Sequence, residues 1–168
     1  MKKIFYILVI FLFKINIAYS LIEVDITRGN LDPLPIAVSP LHVDPQSDDY
    51  KDAKTKELGG LISSVVEKNF KSTGLFNPLN KDAFVQKPDI AHLKPRFEDW
   101  SLITAQALVT GKLLIKDEKL KIEFRLWDVA ANKEMIALAF TTTPSNWRRV
   151  AHIISDKIYE RLTGETGY

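Results

Sequence analysis

Residues 107–143 read ALVTGKLLIKDEKLKIEFRLWDVAANKEMIALAFTTT and contain three apolar segments separated by two short polar turns. The middle segment alternates strictly between apolar and charged side chains (Leu120, Lys121, Ile122, Glu123, Phe124, Arg125 and Leu126). A period of two is typical of a β-strand with one buried face. Residues 107–115 precede this strand and residues 134–143 follow it at hairpin distance, so the stretch predicts an antiparallel three-strand meander.

Two segments, one on each side of the meander, have the period of an amphipathic helix. From about residue 48 to residue 72, apolar side chains recur every three or four positions (Leu58, Leu61, Ile62, Val65, Val66 and Phe70). The same spacing recurs after the meander (Trp147, Val150, Ala151, Ile154, Ile158 and Leu162). Gly74 and Gly164 follow the two stripes, where a left-handed residue commonly ends a helix. Ser145 or Asn146 is placed to cap the second helix.

The remaining segments predict shorter elements. Residues 35–38 are typical of a short strand buried on both faces, and residues 39–49 of a loop. Residues 75–96 contain Pro78, Pro88 and Pro95 and match no regular period, while Asp99 suits the cap of a short helix from Trp100. The adjacent glycines at positions 59 and 60 indicate either close packing of the first helix against the sheet or a later helix start.

These elements define the fold class. Two helices that each carry one apolar stripe need an apolar sheet face to cover. We therefore predict an α/β two-layer sandwich, in which two helices cover a mixed sheet that includes the antiparallel three-strand meander. Phe70, Phe124, Ile154 and Ile158 are expected at the interface between the helices and the sheet.

The first twenty residues have the pattern of an export signal. A basic start at Lys2 and Lys3 leads into an uninterrupted apolar run over residues 4–13, and small residues follow at Ala18 and Ser20. The alternative is a membrane anchor, but a helix of ten residues extends only about 15 Å, half of the hydrocarbon core. We predict cleavage after Ser20, export to the periplasm, and no stable membrane insertion afterwards.

Charge and cysteine content exclude several classes of function. Residues 1–20 hold three lysines and no acidic residue, so residues 21–168 have 20 basic and 21 acidic residues and a net charge of −1. This balance disfavours a nucleic-acid binder, which needs a marked basic excess or patch. The chain contains no cysteine, which excludes disulfides, thiol catalysis and cysteine–zinc sites.

An acidic, alternating segment opens the exported chain. In this segment, the arm of residues 21–32, Ile22, Val24 and Ile26 alternate with Glu23 and Asp25. A turn at residues 28–30, which includes Gly29, and a proline-stiffened link follow. Such an arm can add as a strand to the sheet of a partner, or form the first strand of its own domain. The first alternative predicts partner contacts at Ile22, Glu23, Val24, Asp25, Ile26 and Gly29.

The motifs of catalysis and cofactor binding are absent from the sequence. No two histidines have metal-ligand spacing, Ser63 and Ser64 lack a nucleophile elbow, and no glycine-rich phosphate loop occurs. We therefore expect no enzymatic activity, no cofactor and no metal site. His152 is expected to be a half-buried structural residue, and Arg148 and Arg149 part of a solvated helix face.

Several sequence blocks resemble the TolB family. The resemblance lies in residues 35–38, 100–111 and 124–129, and is most specific in residues 148–152, 155–159 and 162–164. These blocks span most of residues 21–168 in the family's order. The resemblance implies an amino-terminal α/β domain, followed in the family by a six-bladed β-propeller, and no known enzymatic activity.

The resemblance also implies partners and a biological role. The family belongs to the Tol–Pal system of Gram-negative envelopes, which supports outer-membrane integrity and constriction during cell division. Its arm engages the carboxy-terminal domain of TolA, and its propeller binds Pal. By position, the arm corresponds here to residues 21–32, with Ile22, Val24 and Ile26 as strand-face contacts.

We therefore expect a signal peptide at residues 1–20, an arm and linker at 21–34, the α/β domain at 35–164, and the start of a truncated linker at 165–168. Because no propeller follows, binding to Pal is not expected, and the chain is a fragment, a split-gene product or a truncated relic. One alternative function is a small periplasmic enzyme or ligand-binding domain whose site assembles around Arg125, His152 or Asp128. Another is a cytoplasmic nucleic-acid binder that uses Arg148 and Arg149.

Overall fold

A computed structural model describes residues 21–24 and 32–166. The expected signal peptide and the arm residues Asp25, Ile26 and Gly29 lie outside the described residues. The strands are β1 (Leu34–Val38), β2 (His42–Val43), β3 (Phe76–Pro78), β4 (Ala107–Lys116), β5 (Lys119–Asp128) and β6 (Lys133–Thr142). The α-helices are α1 (Ala53–Thr73), α2 (Pro88–Ala91), α3 (Phe97–Leu102) and α4 (Trp147–Thr163), with 3₁₀ turns at Lys81–Ala83 and Pro144–Asn146.

The strands form one mixed sheet in the order β3-β1-β4-β5-β6, with β2 also paired to β4. β1 pairs in parallel with β3 and β4, and β2 pairs in parallel with β4. β4, β5 and β6 are antiparallel and form the predicted meander, with a bulge between Leu126 and Trp127. The structure thus confirms the predicted α/β fold class.

Helices α1 and α4 cover one face of the sheet, which we call the inner face. Its core contains Ile62, Val66 and Phe70 from α1, together with Ile154 and Ile158 from α4, all at most 2% exposed. Phe124 and other alternating side chains of β5 meet them from the sheet. The alternate apolar side chains of β5 and the apolar side chains of the two helices therefore pack in one core, as the sequence predicts.

The other face of the sheet, the outer face, has a smaller cover that the sequence did not reveal. Ala37, Leu108 and Val129 pack there beneath the segment 79–105, which contributes the fully buried Trp100. The side-chain amide of Gln86 organises this segment, because its oxygen accepts hydrogen bonds from Trp100 Nε1 and from the Arg96 backbone N–H. The segment 79–105 thus forms a partial third layer on the outer face of the sheet.

Two local expectations were wrong, the loop at residues 39–49 and the start of the short helix at Trp100. Residues 39–49 include the short strand β2. Residues 75–96, which matched no regular period, hold β3, a 3₁₀ turn and α2. Helix α3 begins at Phe97 rather than Trp100, with Arg96 as its N-cap residue. Asp99 therefore lies inside the first turn, where it pairs with Arg96 at 2.6 Å instead of capping the helix. Asn146 is the N-cap residue of α4 but makes no side-chain capping hydrogen bond.

The glycine pair in α1 marks close packing at one position only. A Cβ on Gly59 would lie 1.9 Å from the Leu41 carbonyl oxygen, whereas a Cβ on Gly60 would meet no atom within 4 Å. Leu41 connects β1 to β2, and its side chain also covers Gly111 of β4. Gly59 and Gly111 therefore leave the space into which Leu41 fits.

Candidate partner-binding site

The described part of the arm, residues 21–24, docks against its own domain. The Ile22 backbone N–H donates to Asp128 Oδ2 at 3.0 Å, and the Val24 N–H donates to the Leu162 carbonyl at 2.6 Å. The side chains of Ile22 and Val24 pack against the edge of the inner core. These residues belong to no strand, so the described part of the arm is not a first strand of the sheet.

Asp128 is the buried anchor of this contact. It ends β5 with 1% of its surface exposed, and its second carboxylate oxygen, Oδ1, accepts the Ala131 N–H at 2.8 Å. A buried carboxylate is stable only when hydrogen bonds replace its lost hydration. Asp128 gains these hydrogen bonds from the Ile22 N–H of the arm and the Ala131 N–H of the β5–β6 turn.

The second anchor is the carboxyl end of α4. The last four carbonyls of a helix lack partners within the helix, and other donors must satisfy them. Gly164 adopts a left-handed conformation (φ 76°) and donates its N–H to Glu160 O, while Val24 supplies the donor for Leu162 O. The arm thereby supplies a hydrogen-bond donor to a carbonyl group at the end of α4.

Docking buries only one side of the arm. Ile22 and Val24 are partly buried, whereas Glu23 between them is exposed. In the described residues 21–24, the acidic side chain of Glu23 is therefore presented to solvent, and the apolar side chains of Ile22 and Val24 face the domain itself. Because Asp25, Ile26 and Gly29 lie outside the described residues, their role as partner contacts stays a prediction.

The structure does not join the residues of the alternative enzyme site. Arg125 lies on the outer face of β5, where its Nε pairs with Glu134 at 3.0 Å. His152 lies on α4, in the layer that covers the inner face. Asp128 is occupied by the arm and the turn. These three side chains therefore do not converge on one pocket.

His152 belongs instead to a polar contact between the two long helices. Asn69 of α1 places its Nδ2 2.9 Å from His152 Nδ1 and donates to Ser155 Oγ at 2.9 Å. His152 is exposed rather than half-buried, which corrects the expectation. Asn69 and His152 are 83 residues apart, so no short sequence motif could predict this contact.

A second unforeseen contact joins two histidines. The rings of His42 and His92 stack with centroids 4.5 Å apart and planes 8° from parallel. Burial, followed by the nearby His92, lowers the pKa of His42, whereas Asp89 and Asp44 act in the opposite direction. His92 Nδ1 lies 2.9 Å from the Pro88 carbonyl oxygen. The stacked rings connect β2 to the end of α2.

Glu67 and Lys81 form a third unforeseen polar contact. Lys81 Nζ lies 3.1 Å from Glu67 Oε2 and also donates to Ser63 Oγ at 3.2 Å. Glu67 Oε1 is buried and has no hydrogen-bond partner among the described residues. Burial raises the pKa of Glu67, although the charge of Lys81 opposes this shift. This ion pair ties α1 to the segment that follows β3.

The basic cluster on α4 has local partners. The Arg148 guanidinium lies over the Trp147 ring, 4.4 Å from its centroid, and Lys157 pairs with Glu160 at 2.8 Å. Within residues 21–24 and 32–166, no group of three or more metal-ligating side chains is placed to hold a metal ion. No helix in that part of the chain has the length and apolar character needed to cross a bilayer.

The sequence of this domain matches a known protein family. The TolB amino-terminal domain model matches residues 22–135, about two thirds of the chain. The chain belongs to the TolB amino-terminal domain family. Membership confirms the resemblance drawn from the sequence blocks, and the matched region includes the docked residues Ile22 and Val24.

A relative supports the same TolB assignment. The Tol-Pal system protein TolB of Pelagibacter ubique is 65% identical to the chain over 165 residues. The aligned region covers 97% of this chain but 37% of that relative, so the chain spans little more than a third of the relative's length.

Two solved structures resemble the fold of this chain. TolB from Acinetobacter baumannii superimposes with a TM-score of 0.64 at 20% identity, over 81% of this chain and 30% of that one. A PelC dodecamer subunit from Paraburkholderia phytofirmans reaches 0.50 at 15% identity, over 86% and 96% of the two chains. At these identities the likeness is one of fold.

Proposed function

We propose that this chain is a periplasmic, non-catalytic component of a Tol–Pal system that binds a partner protein through its amino-terminal arm. The proposed partner is the carboxy-terminal domain of TolA, and the proposed role is support of outer-membrane integrity and of constriction during cell division. Membership in the TolB family carries the proposal, because it links the chain to a system of interacting envelope proteins.

The geometry of the arm supports binding by strand addition. An extended segment that joins a partner's sheet supplies backbone hydrogen bonds for affinity and alternate side chains for specificity. Ile22 and Val24 provide such an alternating apolar face, but in the docked arm that face packs on its own domain. Binding through this face therefore requires the arm to leave Asp128 and Leu162.

The proposal is tested by titrating the exported chain with a TolA carboxy-terminal domain in a calorimeter. We expect binding that is lost when residues 21–32 are deleted. We also expect binding to weaken at least about tenfold in the double variant Ile22→Asp, Val24→Asp, because two charges replace the apolar strand face. The double variant Val85→Asp, Leu93→Asp introduces the same two charges at exposed apolar residues outside the arm, is the matched control and should alter affinity little.

A parallel titration with Pal separates the arm from the rest of the family's functions. We expect residues 21–168 not to bind Pal, because the family resemblance assigns that contact to a propeller and residues 22–135 match the amino-terminal domain instead. Unchanged affinity for TolA after deletion of residues 21–32 would refute the role of the arm. No binding of TolA by the intact chain would refute the proposed partner.

A further inference from the structure

Strand β6 forms an edge of the sheet. Among the strands that the structure describes, β6 pairs with β5 alone, and residues 136–142 of β6 lie opposite residues 120–126 in regular antiparallel register. In such a ladder, alternate residues direct their backbone N–H and C=O groups away from the neighbouring strand. The far side of β6 therefore presents a row of backbone donors and acceptors along residues 136–142.

The features that usually protect an edge strand are missing from most of β6. Natural edges are commonly short, contain proline, or carry lysines or inward-pointing charges that prevent pairing with another strand. The charged residues of β6, Lys133 and Glu134, are its first two residues, and the remaining eight (Met135 to Thr142) are uncharged. The one bulge of the described β5–β6 ladder lies near the start of β6, where Met135 has no partner between the pairs Leu126–Ile136 and Trp127–Glu134.

The inner face of β6 is also incompletely covered. Leu138 lies opposite Phe124 in the ladder, yet it is 39% exposed, whereas Phe124 is 1% exposed. Its inward-facing neighbours Ile136 and Phe140 are only partly buried, although the Phe140 ring stacks on Phe124 at 6.2 Å. The inner core thus continues outward to the edge, where an apolar stripe meets solvent.

We propose that β6 pairs with β6 of a second copy of this chain, antiparallel and centred on Leu138. A two-fold axis through Leu138 places Ile136 opposite Phe140 and Ala137 opposite Ala139. Each of these pairs is apolar, and the two Leu138 side chains meet at the centre on the inner face. The axis runs perpendicular to the sheet, so both helical layers lie on the same side of one continuous sheet.

The position of the charges favours this arrangement over a parallel one. In the centred antiparallel register, Glu134 lies opposite Thr142 of the partner copy and keeps its ion pair with Arg125 of its own chain. A parallel register would set Lys133 against Lys133 and Glu134 against Glu134, and like charges directly opposite are destabilising. The net charge of −1 for residues 21–168 adds little repulsion between copies.

The first test measures association by sedimentation velocity of the exported chain. A single strand pair is a small interface, so we expect a weak dimer that forms as concentration rises from about 10 to about 300 µM. Leu138→Lys places like charges at the centre and should weaken dimerisation at least about tenfold. Leu93→Lys makes the same exchange at a residue that is 73% exposed outside the sheet, and should leave the dimer unchanged.

A cross-linking test checks the register, since the chain has no native cysteine. Opposed residues in an antiparallel pair have Cα atoms about 4.5–5.5 Å apart, within the range for a disulfide. Leu138→Cys should therefore give a disulfide-linked dimer under mild oxidation. Thr141→Cys is exposed on the same strand, but its copies would lie six residues out of register, about 20 Å apart, and should remain unlinked.

Each outcome decides the proposal. Dimers that Leu138→Lys removes, together with selective linkage of Leu138→Cys, would establish the β6 pair. A chain that stays monomeric over the whole concentration range would overturn it. Dimers that persist in Leu138→Lys would point to another surface, and equal linkage at positions 138 and 141 would rule out the centred register.

Discussion

Gly59 and Gly60 are neighbours in the sequence but have different surroundings in the fold. Gly59 faces the Leu41 backbone, where a Cβ would sit 1.9 Å from the carbonyl oxygen, while Gly60 faces open space. We expect Gly59→Ala to lower the free energy of unfolding by about 2 kcal/mol or more, because α1 or the β1–β2 connection must move.

The adjacent substitution provides the matched control for this prediction. Gly60→Ala should raise the free energy of unfolding by about 0.5–1 kcal/mol, because alanine favours the helix and nothing blocks its methyl group. Both values are measured by urea unfolding under the same conditions. Equal effects of the two substitutions would show that Leu41 is not seated against Gly59 as described.

His42 provides a prediction of pH dependence. Burial and the adjacent His92 lower the pKa of His42, so between that lowered pKa and about 6.5 the unfolded chain binds more protons than the folded chain. Stability from this residue is therefore full above about pH 6.5 and is lost as the pH falls below that value.

We expect His42→Gln to reduce the loss of stability between about pH 7.5 and about pH 5.5, since glutamine does not titrate in that range. Urea unfolding of both proteins at the two pH values measures the difference. His152→Gln is the control, because that ring is exposed on α4 and far from the stacked pair. A pH response of His42→Gln as steep as that of the unsubstituted chain would contradict this assignment.

At the scale of the elements, the contact between β5 and the two long helices holds the domain together. Phe124 is 1% exposed, and it contacts a core to which α1 and α4 both contribute. Phe124→Ala should lower the free energy of unfolding by about 3–5 kcal/mol, the usual cost of emptying a large aromatic site in a core. Val85→Ala, at a residue 65% exposed, should cost well under 1 kcal/mol in the same assay.

Long, periodic elements were predictable because burial repeats along them. The three strands of the meander and helices α1 and α4 each extend over ten or more residues, so their apolar positions recur often enough to identify the period. β2 has two residues and β3 has three, including Pro78. At that length no period exists, and only pairing with β4 or β1 makes such residues strands.

The contacts around the candidate site were less predictable, because distant positions make them. Asn69 and His152 are 83 residues apart, and Ile22 and Asp128 are 106 apart. The alternation in the arm indicated an extended segment, but the sequence left open whether it pairs within its own domain. The anchor at Asp128 depends on how the end of β5 meets the end of α4, which only the packed fold defines.

For the molecule as a whole, docking of the arm and binding of a partner compete for the same apolar face. Asp128→Asn replaces Oδ2, the acceptor of the Ile22 N–H, by an amide NH₂ group that cannot accept, while Oδ1 remains available to Ala131. We expect the docked arm to be weakened by about 1.4 kcal/mol and the affinity for the TolA domain to rise by about tenfold. Calorimetric titration measures this change.

The arm deletion separates this effect from any other change in the domain. If Asp128→Asn acts by releasing the arm, the same substitution in a chain lacking residues 21–32 has nothing to release and should not restore binding. An affinity for TolA that is unaltered or lower in Asp128→Asn would show that the docked arm does not compete with the partner.

The hydrogen bond between Val24 and Leu162 holds a residue near the start of the described chain against one near its end. A folded unit whose ends meet can be spliced into a surface loop of a host protein or circularly permuted with a short linker, because neither operation stretches it. The same closeness allows release of the arm to be followed by fluorescence energy transfer. A donor and an acceptor dye attached at the two ends would move apart when the arm undocks, and the transfer efficiency would fall without any label on the partner.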